Sequence, residues 1–164
     1  MTRSFSSLKV LHERLDELFL LHQETLLDPH PDRVVWADRA LDHLDRYEAA
    51  LHEHIRLEEE ILLPVYRRAG RIPGGPEEFY TGEHAKLIKM LLSCREQLLR
   101  VRDGLVDRRR GTISLFDQES VLKSLTLHHH QREENLLFPT LDRVTDEVER
   151  SHLLRLLLGE ENPA

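Results

Sequence analysis

Two segments of this chain carry the same pattern. His54–Pro64 reads HIRLEEEILLP, and His129–Pro139 reads HHQREENLLFP. Each runs His, three residues, Glu-Glu, then an apolar block closed by proline, and the copies lie 75 residues apart. A fainter echo links residues upstream of each copy. His12 precedes Leu15 and His84 precedes Leu87, 72 residues apart. The chain therefore reads as two helical hairpins in tandem. Each hairpin carries one His on its first helix and one His-x3-Glu on its second.

Apolar spacing supplies the helices, and no strand-like alternation persists. Leu8, Leu11, Leu15 and Leu18 repeat at 3 and 4 spacing and predict a helix over about 7–27, broken by Asp28-Pro29-His30-Pro31. Leu41, Leu44, Leu51, Ile55, Leu62 and Val65 predict a second over about 32–69, which Pro64 kinks or ends. The turn-rich segment Gly70–Pro76 separates it from a third helix over about 77–103. A loop Gly104–Gly111, holding the run Arg108-Arg109-Arg110, precedes a fourth over about 115–138. Thr145 is placed to cap a short last helix over 145–158. The expected fold is all-α: an up-down-up-down four-helix bundle with a short extra C-terminal helix. The 164 residues suit one domain with its core over about 8–141.

Residues i and i+4 stand one above the other on a helix. His54 with Glu58, and His129 with Glu133, therefore each aim an imidazole and a carboxylate at one point. The first pair flanks the stripe Leu51, Ile55, Leu62, and the second lies on Leu122, Leu125, Leu136, so both face inward. Burying an unpaired carboxylate costs several kcal/mol or neutralises it. A single His–Glu pair is most simply a solvated pair on a charged helix. Two pairs at the same offset from a proline and an apolar block call for a cation between them.

Composition narrows the rest. A formal net charge of −7 argues against a nucleic-acid partner, which needs a cationic footprint. No apolar run approaches the ~20 residues that span a bilayer, and Met1–Lys9 lacks the apolar stretch of a signal peptide. The single cysteine, Cys94, forms no internal disulfide and reads as a buried apolar residue, so a cytoplasmic protein is expected. Eleven histidines are many for this length, and His128, His129 and His130 sit mid-chain, where no tag would be.

The two His-x3-Glu-Glu segments, together with His12 on the first helix and Glu83-His84 on the third, resemble the hemerythrin family, specifically its HHE cation-binding domains. The likeness covers about 8–141. It implies a non-haem di-iron centre, oxo- or hydroxo-bridged, with ligands His12, His54, Glu58, His84, His129 and Glu133. It also implies a function among those of the family: carrying O2, sensing oxygen or iron, binding nitric oxide, or helping repair iron-sulfur clusters. Oxygen-carrying members have His-x3-His on the third helix. Here the second of those positions is Ile88, so the resemblance is to the four-His, two-carboxylate members and away from simple O2 transport. Two octahedral ions so ligated keep roughly two positions for water or an exogenous ligand.

His22 also falls on the first helix's apolar stripe. In a hairpin turning near Pro29 it lies level with about 36–38, more than ~20 Å along the helix from the level of His54, whereas His12 lies nearer and matches His84 in the repeat. His22 then reads as a core histidine with a hydrogen-bond partner, or part of a separate site. His52, His128 and His130 point 100° or 200° away from the ligand face and read as surface or rim, as do His30, His43 and His152. Glu59 and Glu134 are candidate acceptors for ligand imidazole N–H groups.

Three functions follow. The first is a di-iron protein that binds or senses O2 or NO, or reacts with small oxidants such as peroxide. The second is an iron store or donor serving damaged iron-sulfur centres. The third is a module with a structural metal such as zinc, although two carboxylates among six ligands suit two octahedral irons better than one tetrahedral zinc.

Overall fold

The structure, a computed structural model, describes residues 3–70 and 75–160. Of the predicted Gly70–Pro76 connection, residues 71–74 lie outside the described residues. Every regular element described is helical, and four long helices pack as an all-α bundle. α1 spans Lys9–Leu27 and follows a 3-10 turn, Phe5–Leu8. α2 spans Arg33–Leu57, with Asp32 capping its start by accepting from the N–H groups of Val34 and Val35. α3 spans Glu78–Arg102, α4 spans Arg108–Arg132, and the short α5 spans Glu147–Leu158. No described helix is long and apolar enough to cross a membrane.

Helical geometry does not end at Pro64. α2 passes into a π turn, Glu58–Leu62, and then an α turn, Leu63–Tyr66. α4 does the same through Glu133–Leu137 and Phe138–Val144. The N–H of Leu63 bonds to the carbonyl of Glu58, and that of Phe138 to the carbonyl of Glu133. Each proline enters the following α turn near its start, where a missing N–H is tolerated. The π turn also has a phase effect. Residues spaced by four drift ~40° per step on an α-helix. The wider π turn takes up that drift, and Leu62 and Leu137 are buried as Glu58 and Glu133 are.

The loop predicted over Gly104–Gly111 is shorter than expected. Asp107 caps α4, accepting from the N–H of Arg110, so Arg108, Arg109 and Arg110 are helical. Arg108 lies 4.4 Å over the Trp36 ring and donates to the backbone carbonyls of Asp28 and His30, tying the α1–α2 turn to α4. Gly111 is buried inside the helix. A Cβ there would meet Val101 at 2.1 Å, so this glycine permits a close approach of α3 and α4. At the other end, Asp146 caps α5 by accepting from Glu149, and Thr145 instead donates its hydroxyl to Leu141.

Two apolar clusters form the interior. One includes Leu15, Leu51, Leu87 and Leu122; the other includes Leu8, Leu62, Tyr80, Leu137 and α5 residues Leu154 and Leu157. On each long helix the sequence crosses from one cluster to the other through His12, His54 and Glu58, His84, or His129 and Glu133. These six side chains form a polar layer between two greasy ones.

Candidate metal centre

All six side chains are buried, and they assemble into two overlapping groups of four. His12, His54, Glu58 and Glu133 bring ligand atoms within 4.8 Å of one another, and so do Glu58, His84, His129 and Glu133. The two groups share both carboxylates. His12 Nε2 lies 2.8 Å from Glu133 Oε2, His129 Nε2 is 2.7 Å from Glu133 Oε1, and His54 Nε2 is 3.2 Å from Glu58 Oε1. His84 Nε2 is 2.9 Å from Glu58 Oε2.

A second ring of carboxylates orients three of the imidazoles. Nδ1–H of His12 donates to Glu134, that of His84 to Glu59, and that of His129 to Glu83, at 3.1, 2.7 and 3.0 Å. Glu83 is itself held by Arg132 at 3.0 Å. Such partners fix the tautomer that leaves Nε2 bare and turned inward.

The residues fit a bound cation. With both Nδ1–H groups donating outward, the Nε2 atoms of His84 and His129 lie 3.1 Å apart, so a proton or a cation must sit between them. His12 Nε2, His54 Nε2, Glu58 Oε1 and both Glu133 oxygens are buried without a hydrogen-bond partner, despite the short His–Glu separations. They are close but misaligned for hydrogen bonding. Donor atoms on adjacent octahedral positions at ~2.1 Å from an ion stand about 3 Å apart, which is the spacing seen here.

The electrostatics of the empty-handed side chains point the same way. Burial alone would lower the pKa of His54 and His129. Glu58 and then Glu133 raise His54, while Glu133, Glu58 and Glu83 push His129 up to about 12. Burial would raise Glu58, but His54, His129 and His84 hold it well below the usual carboxylate range. The carboxylates that raise these imidazoles are the groups that would hold a cation in the same place.

The remaining histidines divide. His52 and His128 are exposed. His22 is fully buried but apart from this cluster: Nδ1 meets the Ala40 carbonyl at 2.9 Å and Nε2 meets Glu119 Oε1 at 2.8 Å. Glu119 also accepts from Gln23 at 2.9 Å. His130 departs from expectation. It is buried and stacks on His12 with centroids 3.8 Å apart. Helical angle alone places it off the ligand face, but α1 closes over that side. Glu83, which sequence reasoning left without a role, orients His129; its place directly before His84 was the available signal.

The fold and its inward-facing His/Glu layer define a helical bundle that holds cations in its core. A family model described as "Hemerythrin HHE cation binding domain" matches residues 4–118. The chain belongs to that hemerythrin family. The matched span ends before His129 and Glu133, which the bundle brings to the same centre. No curated protein and no solved structure matches the chain.

Proposed function

We propose that the chain is a non-haem di-iron protein whose centre binds or senses O2 or NO, or reacts with small oxidants such as peroxide. The observation that carries this reading is the sharing of Glu58 and Glu133 between two four-residue groups. His12 and His54 would hold one ion and His84 and His129 the other, with both carboxylates bridging. Such a pair of irons supplies redox chemistry and positions for a small ligand. Zinc in a structural site needs only four ligands in a closed tetrahedron, which leaves part of this set unused.

The surrounding chain supports a small ligand. Ile88 occupies the position one turn beyond His84, packs against the apolar core and offers no electron pair. A cleft of about 510 Å³ between α1 and α2, lined by Leu11, Leu15 and Leu57, reaches His54. The two apolar clusters above and below the layer exclude bulk water. The same accessibility supports the second reading, an iron donor, because iron reached through a cleft exchanges more readily. Elemental analysis and the optical spectrum of protein from iron-supplemented cells, before and after azide or NO, test the proposal. About two irons per chain and a ligand-dependent spectrum are expected. One zinc and no iron after iron loading overturns it.

A further inference from the structure

His130 faces the centre from the side of α1, and nothing in the four-His, two-Glu scheme gives it a task. It is 6 % exposed, and its Nε2 is buried with no hydrogen-bond partner. Its ligand-capable nitrogen lies within 4.8 Å of those of both His12 and His54. The His130 ring stands edge-on to His54, with centroids 5.9 Å apart and planes at 77°. That is close to how His12 stands to His54, at 5.3 Å and 80°.

Successive helical residues diverge by 100°. From one step of α4, His129 thus reaches the α3 side, where its ring is 4.7 Å from His84, and His130 reaches the α1 side. Packing explains only part of this. The parallel stack on His12 covers one face of the ring, but it leaves the in-plane lone pair of Nε2 without a partner. A buried polar atom so placed costs free energy unless something binds it.

We propose that His130 is a third imidazole ligand of the ion held by His12 and His54. The inference rests on the di-metal reading above. Binding both His12 and His130 to one ion requires their 3.8 Å stack to open by rotation about the His130 side-chain bonds. The centre then carries five imidazoles, three on the α1–α2 side and two on the α3–α4 side. The position that Ile88 leaves without a donor lies on the two-imidazole side.

The test counts bound imidazoles. The full chain, labelled with 15N-histidine and loaded with Co(II), gives a paramagnetically shifted N–H resonance for each coordinated ring. Five such resonances are expected in the wild-type protein, and four in His130→Ala with both ions retained. Four in the wild type overturn the proposal while leaving the di-metal reading intact. Failure of the wild-type chain to take up two ions overturns that reading and this inference with it. The wild-type count decides the matter even if the variant does not fold.

Discussion

His84 and His129 confront each other through Nε2 atoms 3.1 Å apart, each with its Nδ1 turned outward to a glutamate. Neither helix alone dictates this. It follows from α3 and α4 packing side by side at the level where each helix passes from one apolar cluster to the other. The glutamates behind them make the arrangement testable.

Glu83→Ala should weaken metal binding about 10- to 100-fold, because His129 loses the partner that holds its ring and tautomer. Glu96→Ala, on the exposed face of the same helix, should leave affinity unchanged. Competition with a chelator measures both. Equal affinities would show that Glu83 merely pairs with Arg132.

His54→Ala and His129→Ala should each abolish binding of at least one ion per chain, whereas His52→Ala and His128→Ala should retain both. Only the first two side chains are buried beside Glu58 and Glu133. Metal content by elemental analysis reads the outcome, and equal losses from all four would contradict the geometry.

Metal uptake should release protons and strengthen as pH rises. In the metal-free fold the neighbouring carboxylates raise the pKa of His54 and push that of His129 up to about 12, so protons compete with a cation for both rings. A cation must displace them, so each displaced proton adds roughly tenfold affinity per pH unit below the relevant pKa. Stability of the metal-free protein has its own window. The raised histidines stabilise fully below their ordinary 6.5, and this is lost as pH climbs above it. The depressed Glu58 stabilises above its ordinary 4.5, and this is lost as pH falls below it. Metal-free stability should therefore peak between those values and decline on either side. Calorimetric titration in buffers of different ionisation enthalpy measures the released protons; a result of none would refute this account.

His22→Leu or Glu119→Leu alone should destabilise the fold by about 3–5 kcal/mol, since each strands a buried polar partner. The double substitution should recover most of that loss. Metal content should remain that of the wild type throughout, because the pair lies outside the His/Glu layer. Denaturant unfolding gives the energies. Loss of metal in the single variants would place His22 in the centre's function.

Sequence alone determined the four long helices and the two inward-facing His-x3-Glu pairs, because helical periodicity fixes which side chains share a face of their own helix. The 72- and 75-residue offsets further singled out His12 and His84. Periodicity does not say what lies opposite a face. His130 points 100° from His129 and so read as rim, yet α1 buries it. Glu119 gave no sign of its partner, because its counterpart 75 residues earlier is Leu44, and only packing of α1 against α4 joins it to His22. Gly111 and the arginines before it looked like a loop; the close approach of α3 to α4 makes that glycine part of a helix. Each of these outcomes depends on how helices rotate and stack against one another. That is settled by the summed packing of all four, which no single stretch of sequence contains.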